Sequence, residues 1–165
     1  MNNPIPQQQS PRGMQQGAPW NSPNYVGSTF FAYESDIPSA GLAAGASTQL
    51  SFNVAGDSDF FWTKFCAFAL VGGAATTRTN DQLPAVTLSI TNTTTGRQYS
   101  NAPVPLANMA GTGVFPFILP MVVLWQAFAT IQINLSNEGN TAYSNLQLTF
   151  FGIKAYTGNT PNPNG

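Results

Sequence analysis

The stretch TIQINLSN, residues 130–137, sets isoleucine, isoleucine and leucine on one side of an extended chain and glutamine, asparagine and serine on the other. Successive side chains of a strand point to opposite faces, so Ile131, Ile133 and Leu135 read as a core-facing row. The same alternation recurs in Leu50, Phe52 and Val54, in Val86, Leu88 and Ile90, and in Leu146, Leu148 and Phe150. In a chain of about eight strands, four that each carry one apolar face imply two antiparallel sheets packed face to face.

No segment holds a 3.6-residue apolar rhythm over a dozen positions, as a helix would need. Strands are expected at residues 28–34, 48–55, 60–71, 85–92, 97–101, 114–119, 128–136 and 145–156. Turn residues separate them: Gly45, the AGD ending at Asp57, Gly72 with Gly73, the TTTG ending at Gly96, and NEGN at 137–140. The expected fold is therefore all-β, a two-sheet antiparallel sandwich of jelly-roll-like form, with an immunoglobulin-like sandwich as the alternative. The most apolar segment, VFPFILPMVVLWQAFA at residues 114–129, is broken by Pro116 and Pro120 and is too short to span a bilayer as one helix. It reads as buried strand.

Residues 1–27 hold five prolines, several glutamines and few aliphatic side chains, a composition that cannot collapse by itself. They are expected to form an extended N-terminal arm, followed by the sandwich at 28–156 and a flexible tail at 157–165. Within the arm, Trp20 and Tyr25 are large apolar groups of the kind that anchor an extended segment in a partner's groove. They equally suit the first packing contacts of the chain's own domain.

Charged residues make up 7% of the chain against about 25% in ordinary soluble proteins. The net charge is −1, and the basic residues Arg12, Lys64, Arg78, Arg97 and Lys154 are scattered, so no stripe exists to replace counterions along a nucleic-acid backbone. Near-zero charge removes the repulsion that keeps monomers apart and suits a protein held in an assembly, or a neutral secreted or surface domain. The outward rows follow the same rule: Gln49, Ser51 and Asn53, then Thr87 and Ser89, then Gln132 and Asn134, then Gln147 and Thr149 carry no charge. Monomeric sheets commonly use Lys and Glu there to discourage edge pairing, whereas amides and hydroxyls can be covered by a neighbour at low desolvation cost. These rows read as contact faces. The first residues, MNNPIPQQQSPRG, lack the basic start and hydrophobic stretch of a secretory signal, and no membrane anchor is expected.

The chain contains no histidine, which removes Ser-His-Asp and Cys-His catalysis and every His-containing zinc site. Its one cysteine, Cys66 within FFWTKFCAFALV, reads as a small buried hydrophobe. No glycine-rich phosphate loop is present. The remaining chemical candidate is the pair Asp57 and Asp59, with Glu34, Asp36 or Asp81 as further carboxylates from elsewhere in the fold, which could ligate calcium or serve glycoside cleavage but more ordinarily caps a turn. Two N-x-[ST] matches, at Asn92 and Asn134, read as products of an Asn- and Thr-rich chain. No catalytic residue, cofactor or metal is expected.

Within residues 28–156 the features run in the order FFAYESDIPSAGLAAGASTQLSFNVAGDSDFFWTK, then LSITNTTTGRQYSNAPVPLANMAGTGVFPFILP, then ATIQINLSN and a closing NLQLTFFGIKAY. In that order the chain resembles structural virion proteins of tailed bacteriophages. The resemblance implies a non-enzymatic capsid cement or decoration protein. It implies virion location, homo-oligomers and contacts with other capsid or tail subunits, without nucleic acid or membrane. A tail or fibre-associated role, or a carbohydrate- or receptor-binding sandwich, is the alternative it leaves open.

Overall fold

The computed structural model describes residues 18–71 and 85–158. Among them run nine strands: β1 (Tyr25–Asp36), β2 (Ser47–Asn53), β3 (Ser58–Val71), β4 (Val86–Asn92), β5 (Arg97–Gln98), β6 (Val104–Pro105), β7 (Phe117–Trp125), β8 (Thr130–Asn137) and β9 (Tyr143–Thr157). A 3₁₀ turn at Pro19–Asn21 precedes them, and a single helical turn, α1 (Leu106–Met109), follows β6.

Strand β8 behaves as its alternation demands, with Ile131, Ile133 and Leu135 buried in the core. It lies between β2, paired from Ser47↔Ser136 to Asn53↔Thr130, and β4, paired from Val86↔Asn137 to Asn92↔Ile131. One sheet, sheet B, thus has the order β2-β8-β4-β5, with β6 also beside β4. The other, sheet A, has the order β1-β9-β3-β7. If β5 and β6 are taken as two pieces of one position, the chain passes from sheet to sheet at nearly every connection. That wrapping of eight strand positions into two four-membered sheets is the jelly roll; an immunoglobulin-like sandwich distributes its strands differently.

The turns are held by side chains suited to them. Asn92 Oδ1 accepts the N–H of Thr95 at 3.2 Å, closing the TTTG turn whose last residue, Gly96, has φ 69°. The buried Asn137 donates to the carbonyls of Ala43 and Thr141 at 2.9 and 2.8 Å and accepts the N–H of Gly139 at 3.0 Å, so the NEGN turn is cross-linked to the loop before β2. A buried amide so fully paired stabilises one turn geometry, where an unpaired one would cost about 1–3 kcal/mol.

Aromatic rings fill the space between the sheets. Trp62 stacks on Trp125 at 5.0 Å between centroids, Phe65 on Phe150 at 4.7 Å, and Phe60 on Trp125 at 5.7 Å. Both indole N–H groups are used, Trp125 donating to the Tyr99 hydroxyl at 2.7 Å and Trp62 to the Lys64 carbonyl at 2.8 Å. Among the described residues no buried side-chain nitrogen or oxygen lacks a hydrogen bond.

Element boundaries depart from expectation where pairing outruns local pattern. β1 starts at Tyr25, inside the segment assigned to the arm, because residues 25–27 already pair with the end of β9, which runs to Thr157. The strand expected at 114–119 instead runs from Phe117 to Trp125, while α1 and β6 have no alternating pattern to announce them.

Candidate interaction surfaces

Trp20 and Tyr25 both land on the outer face of sheet A. Their rings meet that of Phe61 edge-on, at 5.8 and 5.7 Å between centroids, and between them they bury a phenylalanine that would otherwise face outward. The Tyr25 hydroxyl donates to Asp59 Oδ2 at 2.8 Å, and Asp59 Oδ1 accepts the N–H of Ala127 at 2.9 Å. These contacts lie within the chain's own domain. Of the expected arm at 1–27 and tail at 157–165, residues 1–17 and 159–165 lie outside the described residues.

Burial, the hydrogen bond to Asp59 and the charge of that carboxylate push the Tyr25 hydroxyl up to about 12. The folded state therefore holds this proton more tightly than the unfolded chain, whose tyrosine ionises near 10. The resulting stabilisation is complete below pH 10 and is lost as pH rises through 12. Tyr25→Phe should accordingly be less stable than wild type below pH 10, and the margin should narrow as pH rises from 10 through 12. Denaturant unfolding of the two proteins across that range checks it, since the other tyrosines cancel in the difference.

The carboxylates of Asp57 and Asp59 are both engaged, Asp59 with Tyr25 and Ala127 and Asp57 within the β2–β3 turn. Asp57 Oδ1 accepts the Ser58 hydroxyl at 2.8 Å and lies 3.8 Å from Lys154 Nζ. Lys154 is itself buried with its ammonium 4.0 Å from the centre of the Phe31 ring, so the cation sits between an aromatic face and an anion. Glu34 and Asp36 stand at the far end of β1, opposite Thr149 and Gln147, whereas Asp59 is opposite Ala155 on the same β9. At least six residues of strand, roughly 20 Å or more, separate the groups, too far to share one ion. Asp81 lies outside the described residues.

The outward polar rows divide between the sheets. Those of β2, β4 and β8 share the outer face of sheet B, where Asn134 donates to Ser89 at 3.4 Å, Ser47 to Ser136 at 3.1 Å and Thr130 to Asn53 at 2.8 Å. A groove of about 360 Å³ crosses this face between Gln49, Thr87, Ser89, Pro103 and Asn134. Gln147 and Thr149 lie instead on the outer face of sheet A, opposite Phe68 and Cys66. Cys66 is buried as expected, its thiol 3.3 Å from the Thr112 carbonyl and pushed up in pKa by burial, with Lys64 acting in the opposite sense.

Residues 114–129 correct the sequence reading most sharply. Expected as buried strand, the segment supplies β7, which among the described residues pairs with β3 alone and so forms an edge of sheet A. Trp125 and Ala129 are buried, Leu119 and Val123 pack partly against the core, but Ile118 is 67% exposed, Met121 78% and Phe115 79%. Apolarity in a strand does not by itself mean burial. A usable signal stood in the same stretch: proline has no N–H to give a ladder and is tolerated on edge strands, so Pro120 favoured an edge. Phe30 on β1 and Phe68 on β3 extend the exposed apolar surface across the outer face of the same sheet.

Neither a protein-family model nor a curated protein matches the chain. Among solved structures, the crystal structure of infectious bursal disease virus VP2 subviral particle is similar at 15% identity and a TM-score of 0.28, over 81% of this chain and 38% of that one. The chain thus spans well under half of that protein. The likeness is too distant to add to a fold that rests on strand order.

Proposed function

We propose that the protein is a non-enzymatic structural component of a virus particle, of the cement or decoration kind found on tailed bacteriophages. It works by adhesion to neighbouring subunits and to copies of itself. The observation that carries this reading is the surface: a nearly uncharged sandwich with large apolar side chains exposed along one edge and face, which a soluble monomer does not ordinarily leave open to water. The jelly roll supports it by fold-level analogy, since capsid domains use that architecture, as do lectins. The sandwich acts as a rigid block and the Pro/Gln-rich arm as a tie. Ordering the arm costs about 1–2 kcal/mol per residue of backbone freedom, so it must gain many contacts on a neighbour. Trp20 and Tyr25 contribute by fixing where the arm leaves the block.

Deleting residues 1–17 leaves both anchors in place. The truncated protein should keep its unfolding midpoint and lose incorporation into particles, read as copy number per purified particle by quantitative mass spectrometry. Normal uptake of the truncated chain would remove the arm from the mechanism. The groove on sheet B, walled by amides and hydroxyls, favours one other reading, a glycan-binding module. Saturable glycan binding by a protein that particles do not take up would replace the structural role with that one.

A further inference from the structure

Strand β7 meets β3 in two short registers, Phe117 and Ile118 against Phe65 and Lys64, then Val123 to Trp125 against Trp62 to Phe60. Between them residues 119–122 of β7 stand opposite Thr63 alone, so the strand bows away from its neighbour. The bow carries Met121 outward. With Val114, Phe115, Ile118, Val122 and Leu124, exposed by 40 to 79%, it forms a continuous apolar edge.

Two further features of this edge select its occupant. From Gln98 to Asn137 no residue is charged, so β7 itself carries none of the Lys and Glu that normally keep two sheet edges apart, and the exposed Lys64 of β3, opposite Ile118, lies one strand in from the edge. The exposed apolar area is on the order of 700 Å², close to the ~800 Å² that each partner contributes to a standard stable interface. An apolar edge strand of that size, with no charge of its own, suits a second copy of itself as the occupant.

We propose that the β7 edge is the interface of a two-fold homodimer, with β7 of one copy lying antiparallel along β7 of a second. The inference rests on the assembly role proposed above and names one partner in it. Under two-fold symmetry the same patch serves both subunits and the contact closes as a pair without propagating. Pro120 has no N–H to donate and the bow interrupts the strand, so the copies are held by interdigitated side chains centred on Met121 more than by a continuous ladder.

The test is the solution mass of the full chain, by sedimentation or light scattering over a dilution series, for wild type and for Ile118→Asp with Met121→Asp. Wild type is expected at twice the chain mass. The double variant, altered only at exposed positions, is expected as a monomer with an unchanged fold by circular dichroism and a dissociation constant raised about 100-fold or more. Gln49→Asp, on the outer face of sheet B, should leave the dimer intact. A wild-type monomer throughout, or a dimer that survives both aspartates, would overturn the proposal, as would monomers that bind vesicles through this edge. Particle uptake is scored separately: a β7 dimer that particles exclude sinks the virion role alone, and a monomer that particles accept sinks this interface alone.

Discussion

Trp125→Ala is expected to lower the free energy of unfolding by about 3–5 kcal/mol, a large part of the ~5–15 kcal/mol that holds a domain of this size. Trp125 is fully buried and its ring meets those of Phe52, Phe60, Trp62 and Phe150, which come from both sheets. Removing about 200 Å² of buried ring at roughly 25 cal/mol per Å² gives a similar magnitude before any cavity is counted. The loss also strips the Tyr99 hydroxyl of its donor. Because Tyr99 is only half-buried, water can replace that bond, so Trp125→Phe, which keeps a ring in place, should cost only about 1–2 kcal/mol. Urea unfolding of the two variants measures the difference. Equal costs would mean that the core does not depend on the volume of this side chain.

Gly152→Ala should be nearly as damaging despite adding one methyl group. Gly152 lies on β9, opposite Phe31 of β1 and Trp62 of β3, at the point where Thr63 is an extra residue on β3. A Cβ there would run into the Phe61 carbonyl oxygen and the Phe60 ring. The first obstacle is backbone and cannot rotate away, so the two central strands of sheet A must separate locally. Overpacking commonly costs about 1–3 kcal/mol, and the expectation here is the upper end or beyond. Gly113→Ala serves as the comparison, since a Cβ at Gly113 meets nothing within 4 Å and should change stability by no more than about 0.5 kcal/mol. Thermal unfolding of the two alanine variants side by side decides whether close backbone approach, and not glycine replacement in general, is responsible.

The proposed role depends on how the two outer faces differ. Sheet B presents hydroxyls and amides that bond to one another along the face, while sheet A presents phenylalanines and an apolar edge. Amides can be covered by a neighbour or left wet at little cost, whereas exposed Ile118 and Met121 lose free energy for as long as water touches them. The stronger drive to associate therefore lies on sheet A, on the side opposite to most of the polar rows that first suggested contact.

Much of this was legible without coordinates. The alternation in residues 130–137 marks β8 correctly, because the period of two is a local property of an extended chain and the apolar row must be buried somewhere. The turns at Asn92 and Asn137 could be placed for the same reason, since each is closed by its own side chain within a few residues. Residues 114–129 show where local reading fails. Whether Ile118 is covered depends on which strand lies beyond β7, and that is decided by sheet order; pairings such as Tyr25↔Thr157 join residues at opposite ends of the chain. Nor does any local pattern announce that Trp20 and Tyr25 meet Phe61 on the outer face of sheet A. By itself, then, the amino-acid order determined that short strands would stack as two sheets with an almost uncharged exterior. Only the tertiary arrangement decided which strands became edges and which apolar residues were left in water, because neighbour relations arise from hydrogen bonds between distant segments that no local period encodes.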